Sequence, residues 1–168
     1  MKDEIEVRKP REDELSELVP IYRKVFKKHN IFQGEDNEIK EYLQRKYREE
    51  PELGFLVALK NNKIVGGLLL RKVGGDEKHW NIRLNHFAID EAFRGQGIGT
   101  ALIDSVDELI LDLKGKGKLE SAKIETRVSE NEKRAIEFFK KFGYETEGES
   151  KSHYRKGESA YFLGKEID

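Results

Sequence analysis

The chain has 168 residues, 36% of them hydrophobic and 39% charged, which suits one compact domain with a core rather than a disordered segment. Its 32 Lys and Arg balance 33 Asp and Glu, so no global field favours nucleic acid or an acidic membrane surface, and neither is expected as a partner. Cysteine is absent, which excludes disulfides, thiolate metal sites and a cysteine nucleophile. The four histidines (His29, His79, His86 and His153) are scattered without an HExxH pair, so no metal is expected. The opening MKDEIEVRKP has no apolar signal core, and no run approaches the ~20 apolar residues of a membrane span. The expectation is one cytoplasmic domain over residues 1–168.

Residues 3–9 alternate and predict a short strand ended by Pro10. Residues 11–29 place Leu15, Leu18, Val19, Tyr22, Val25 and Phe26 at helical spacing, with Asp13 and Glu14 early, where the helix dipole favours acids. Pro20 inside this pattern should kink or split the helix. Residues 31–34 read as a loop, and a second amphipathic helix covers roughly 35–49 before Pro51. Two apolar runs then flank Asn61-Asn62, a pair able to take the positive φ of a tight hairpin, and Gly74-Gly75 closes the second run. Residues 80–89 predict a fourth strand. Residues 97–114 predict a strong helix with Ile98, Leu102, Val106, Leu109, Ile110 and Leu113 on one face, stopped by Gly115 and Gly117. A fifth strand over 119–128, a helix over 130–141 capped by Gly143, and two strands joined near Lys156-Gly157 complete the order. Hairpins and crossovers are mixed, so the sheet should be mixed as well.

The main chemical signal is HFAIDEAFRGQGIGT, a strand running into Arg94-Gly95-Gln96-Gly97-Ile98-Gly99-Thr100 at a helix start. A helix start offers unpaired N–H groups and partial positive charge, and glycines let the backbone approach a phosphate closely. The turn is not a P-loop, because no Lys-Ser/Thr pair follows at the required offset. It is not a dinucleotide fingerprint either, because the spacing is G-x-G-x-G, late in the chain. A plain glycine-rich strand-to-helix turn is the alternative.

Arg94-Gly95-Gln96-Gly97-Ile98-Gly99 resembles the R/Q-x-x-G-x-G/A signature of the GNAT acyltransferase superfamily, and Phe87-Ala88-Ile89-Asp90 looks like that family's cofactor strand. Downstream, Asn131, Ala135, Phe138-Phe139 and Phe142-Gly143-Tyr144 resemble its N-x-x-A-x-x-x-Y-x-x-x-G-F segment, and the element order agrees across nearly the whole chain. The resemblance implies an α+β (mixed α/β) fold, with a central mixed sheet of about seven strands, splayed between strands 4 and 5 and flanked by about four helices. It implies acetyl-CoA as cosubstrate. The backbone of Phe87, Ala88 and Ile89 would pair with the pantetheine arm as an added strand. The turn from Arg94 through Gly95, Gln96, Gly97, Ile98, Gly99 and Thr100 would hold the pyrophosphate, and Asn131 and Phe139 would lie along the arm. Two departures stand out. Asn131 precedes Ala135 by one residue more than usual, so either the helix start is shifted or Ser129 or Glu130 takes its place. Phe139 falls where the family often has a Tyr that can protonate the leaving sulfur.

The implied reaction is direct attack of an amine on a thioester. The amine must be neutral, yet a lysine amine has a pKa near 10.4 and an α-amine about 8, so a base is needed. His86 is the candidate base. Tyr154 and Tyr161, on the tail strands, are candidate acid or acceptor-site residues, and Asn85 and Arg83 are weaker ones. The N–H of Ile89 is the family-like oxyanion donor. A thiolate leaves moderately well unaided, since a thiol pKa is about 8.5, so loss of the acid at Phe139 need not be severe. The tail also looks like the ending of N-terminal protein acetyltransferases, with Tyr154, Gly157, Glu158, Ser159 and Ala160 in register. The expectation is therefore an N-acetyltransferase acting on a small amine or a peptide N-terminus, as monomer or homodimer. The alternative is a non-catalytic acyl-CoA-binding regulatory module on the same fold.

Overall fold

The computed structural model describes residues 4–27 and 30–168. Asp3, Lys28 and His29, to which the first expected strand and helix extended, lie outside them. The strands are β1 (Ile5–Arg8), β2 (Gly54–Lys60), β3 (Lys63–Gly75), β4 (His79–Ile89), β5 (Ser121–Ser129), β6 (Glu145–Arg155) and β7 (Glu158–Ile167). The helices are α1 (Val19–Val25), α2 (Asp36–Glu49), α3 (Ile98–Gly115) and α4 (Lys133–Lys141). The strands form a seven-stranded sheet in the order β1-β2-β3-β4-β5-β7-β6. β4 and β5 are parallel, whereas the β1–β2, β2–β3, β5–β7 and β6–β7 pairs are antiparallel. The mixed sheet and the flanking helices are those expected.

The chain folds as two compact units, one comprising the N-terminal region through Arg71 together with His86–Glu108, the other Lys72–Asn85 together with Leu109–Asp168. In the first unit the expected helix over 11–29 is divided. Glu12–Leu18 forms a 3₁₀ helix and the α-helix starts only at Val19. The break comes before Pro20 rather than at it, which puts proline in the first turn of α1, where its missing N–H leaves no hydrogen bond unmade. The 3₁₀ segment is anchored by Glu14, whose side chain is 8% exposed. Its carboxylate accepts two bonds from the Arg8 guanidinium, both 2.8 Å, and one from the Arg11 N–H at 2.8 Å. The Arg8 bonds, then the Arg11 amide, hold the Glu14 carboxyl down to about 2.

The expected loop at 31–34 is a 3₁₀ turn, Asn30–Gln33, because Phe32 is fully buried there. Phe32 joins Leu15, Leu18, Tyr22, Ile39, Leu43, Phe55, Val57, Ile64, Leu69 and Ala88 in one apolar core. Between β2 and β3, Asn61 and Asn62 have φ of 52° and 63°, the conformation a two-residue hairpin requires.

In the second unit the buried apolar residues come from alternate positions of its strands: Trp80, Ile82 and Leu84 on β4, and Ala122, Ile124 and Val128 on β5. Leu163 on β7 and Phe139 and Tyr144 around the end of α4 are buried as well. Trp80 packs at the start of β4, donating from its indole N–H to the Glu77 carbonyl at 3.0 Å, with the Lys72 ammonium 4.8 Å from its ring. β6 is a sheet edge and is exposed along almost its whole length.

Candidate functional site

The parallel ladder between β4 and β5 pairs His79–Arg83 with Ser121–Glu125. Past its last rung the Leu84 carbonyl accepts from a side chain, the Thr126 hydroxyl at 3.1 Å. Phe87, Ala88 and Ile89 lie beyond that rung, at the end of β4. Their approach to β3 is close enough to require glycine there: a Cβ on Gly66 would stand 2.8 Å from the Ala88 carbonyl oxygen. The Asp90 N–H donates to the Val65 carbonyl at 2.7 Å, tying the strand's exit to β3.

After β4 the chain makes a short 3₁₀ turn, Glu91–Phe93, with the Asp90 carboxylate accepting from the Ala92 N–H at 3.0 Å. Arg94 follows in extended conformation and is exposed. Gly95 and Gly97 then take φ of 76° and 85°. The glycines therefore precede the helix rather than open it, and α3 starts at Ile98. Its first helical bond runs from the Ala101 N–H to the Gly97 carbonyl, 3.0 Å, so the amides of Ile98, Gly99 and Thr100 have no partner within the helix. Ile98 and Gly99 are buried, while Gly95, Gln96, Gly97 and Thr100 are exposed. A Cβ at Gly95 would meet nothing within 4 Å, and one at Gly97 only the Ile5 Cδ1 at 4.0 Å. An anion can thus approach these amides closely, and the donor set fits a diphosphate. Cations border the turn: Lys60 donates to the Gln96 side-chain oxygen, and the Lys63 ammonium lies 5.8 Å from the Phe93 ring centroid. Neither lysine stands out in sequence, since each merely flanks the Asn61-Asn62 turn.

His86 is held in the first unit. It has φ of 52°, uncommon for a non-glycine residue inside a strand. Its ring meets those of Tyr22, Phe26, Phe32 and Tyr42 edge-on, at centroid distances of 5.9, 6.1, 5.1 and 5.8 Å. Its Nε2 is 2.9 Å from the Tyr42 hydroxyl. Burial pushes the Tyr42 phenol upward, so it stays protonated across the neutral range. In sequence Tyr42 reads only as core, an aromatic on the apolar side of the second helix with Ile39, Leu43 and Tyr47.

The remaining expected residues belong to the second unit. Asn131 is exposed in the turn between β5 and α4, where its N–H donates to the Ser129 hydroxyl at 3.2 Å. The helix starts at Lys133, three residues after the expected start. Ser129 and Glu130 are engaged across to β7: the Ser129 hydroxyl donates to the Glu158 carboxylate at 2.5 Å, and Glu130 accepts from the Ser159 N–H at 3.0 Å. Phe139 is 3% exposed, its ring 5.2 Å from that of Tyr144. Tyr154 on β6 is 45% exposed, with its phenol pushed upward by partial burial and by Glu132 and Glu158. Tyr161 on β7 is half-buried opposite Val128. Arg83 is not an unattached candidate, since it forms a 2.9 Å ion pair with Glu125 on the ladder's last rung. Among the described residues no group of three or more His, Asp or Glu forms a metal site, and no helix is long and apolar enough to cross a membrane.

The fold has structural counterparts. Ard1 from Thermoplasma volcanium superimposes with a TM-score of 0.72 at 22% identity, covering 98% of each chain. Arabidopsis thaliana Naa50, in complex with the bisubstrate analogue CoA-Ac-MVNAL, gives 0.73 at 21% identity, covering 96% of this chain and 97% of that one. In sequence, an uncharacterized N-acetyltransferase of Methanocaldococcus jannaschii is 28% identical over 141 residues, 83% of this chain. The chain matches only 60% of the length of that relative. The model of the acetyltransferase (GNAT) family matches residues 16–144, from the first 3₁₀ helix through β4, the glycine turn and α4. That match spans most of the chain, and the chain belongs to the GNAT family of acetyltransferases.

Proposed function

We propose that this chain is an acetyl-CoA-dependent N-acetyltransferase that acts on a protein or peptide α-amine. The observation that carries the reading is the pair of positive-φ glycines before α3, with room for a ligand around them and the first-turn amides behind. In this reading the amides from Gln96 through Thr100 hold the diphosphate, and Lys60, Lys63 and Arg94 add positive charge at its rim. The main chain of Phe87, Ala88 and Ile89 pairs with the pantetheine arm, and the Ile89 N–H stabilises the oxyanion. Asn131 and Phe139 are assigned to the same ligand by family resemblance. Acetyl-CoA supplies an acetyl thioester. His86 takes a proton from the acceptor ammonium so that a neutral amine can attack. Tyr154 and Tyr161 serve the acceptor or the leaving thiolate.

A peptide acceptor is favoured by the tail around Tyr154 and Glu158-Ser159-Ala160 and by likeness to Naa50 in its complex with the analogue CoA-Ac-MVNAL. One feature supports a second reading, a non-catalytic acyl-CoA-binding module: Phe139, buried and without a proton, stands where the family often has a tyrosine. Thiol release from acetyl-CoA, measured with short peptides, polyamines and amino acids, separates the two. The expected result is turnover with free-N-terminus peptides, abolished when the N-terminus is blocked. Binding of acetyl-CoA without turnover on any amine would overturn the enzymatic reading in favour of the module.

A further inference from the structure

A histidine that acts as a base needs more than a suitable intrinsic pKa. Its ring must present one nitrogen lone pair, and the other nitrogen must keep a hydrogen-bond partner when the ring becomes cationic. The first requirement is a matter of tautomer, which the partner of the second nitrogen decides.

In this chain that partner is Tyr42. Its hydroxyl reaches across 44 residues of sequence to within 2.9 Å of the His86 Nε2. The ring it reaches is already confined by Tyr22, Phe26 and Phe32, which meet it edge-on. Tyr22 and Phe32 are fully buried and leave the imidazole little freedom to turn. The phenol is neutral across the working range and its oxygen can either donate or accept. Once His86 gains a proton both ring nitrogens carry hydrogen, so Nε2–H then donates and the phenol oxygen accepts. The pair is therefore suited to hold the cation without moving an atom of the scaffold.

We propose that Tyr42 is the positioning residue of the reaction, its hydroxyl oxygen holding Nε2–H of His86 so that Nδ1 is the nitrogen that takes the acceptor's proton. This rests on His86 being the base of the activity proposed above. The proton balance is simple. The acceptor ammonium gives one proton to Nδ1 and becomes a neutral amine, and the imidazolium, held through Nε2–H, later releases that proton to solvent. Among the described residues, the charged groups around the pair include Arg45, Arg71 and Glu49, with Lys46 over the Tyr42 ring, and Tyr22 faces His86 from α1.

Two readouts test the proposal, and only one depends on turnover. In long-range 15N NMR, neutral His86 is expected as the Nε2–H tautomer. Tyr42→Phe, which keeps the ring and removes only the oxygen, leaves the imidazolium without its acceptor. It is expected to lower the His86 midpoint by about one pH unit, a tenfold loss of proton affinity. In kinetics, the acid limb of kcat/KM for Tyr42→Phe moves to lower pH by the same step and the plateau falls about tenfold, with KM for acetyl-CoA unchanged. Incorporation of 3-fluorotyrosine at position 42, a weaker acceptor of nearly the same shape, moves the midpoint the same way by a smaller step and covers the case in which Tyr42→Phe folds poorly. An Nδ1–H tautomer in the unmodified protein, or a midpoint that stays in place in both variants, overturns the proposal. If the protein turns over no amine, the functional reading fails, and the NMR arm still decides whether Tyr42 sets the state of His86.

Discussion

The double substitution Gly95→Ala/Gly97→Ala is expected to weaken acetyl-CoA binding about 100-fold, roughly 2.7 kcal/mol, while the fold survives. Both residues hold φ in the left-handed region, 76° and 85°, where a Cβ costs about 1–2 kcal/mol per residue. Space is not the obstacle, since a Cβ at either position meets nothing closer than 4.0 Å. The backbone therefore bears the whole penalty, and it relieves it by rotating out of the conformation that aims the first-turn amides at one point. Any methyl that does remain projects into the room a diphosphate would occupy. Titration calorimetry with acetyl-CoA measures the effect, and a melting temperature close to that of the parent shows that the core is intact. Parent-like affinity in the double variant would mean that these amides do not form the phosphate cradle.

Glu14→Gln is expected to lower stability by about 2 kcal/mol at pH 7, with a pH dependence that identifies the cause. The carboxylate is nearly inaccessible and accepts three hydrogen bonds, two of them from Arg8. The amide cannot accept all three and places an N–H donor against the guanidinium. The native carboxyl is held at about 2, below its ordinary 4.5. The folded state thus prefers the ionised form, and the stabilisation is complete above about pH 4.5 and is lost as pH falls through about 2. Urea unfolding of parent and variant should show the gap closing over that interval. A gap that stays constant from pH 7 to pH 2 would assign the loss to packing rather than charge.

The elements that were legible in sequence are those with a strong period or a strong turn signal. α2 and α3 follow from their apolar spacing, and Asn61-Asn62 follows from the positive φ that its turn needs. The first helix was legible only as a stretch of apolar positions. Its division at Leu18 depends on proline's preference for a first turn and on the Arg8–Glu14 anchor, which joins a strand end to a 3₁₀ turn. The same limit applies to Phe32, whose burial folds a segment that reads as loop. At the candidate site the glycine turn was visible because glycine is demanded by backbone conformation. The positive φ of His86, the rim lysine Lys60 and the Tyr42–His86 pair were not visible, because they are created by contacts between elements distant in sequence. The extra residue between Asn131 and Ala135 is visible in sequence, whereas the start of α4 at Lys133 is not.

The most direct test compares acetyl-CoA with acetyl-pantetheine, the same thioester arm without the nucleotide and its diphosphate, by following backbone amide resonances. Acetyl-CoA should bind at least 100-fold more tightly, with the largest amide shifts at Gln96 through Thr100, and acetyl-pantetheine should leave those amides nearly unmoved. Equal affinity for the two ligands, or shifts that bypass Gly95–Thr100, would contradict a cradle built from main-chain nitrogens at the start of α3.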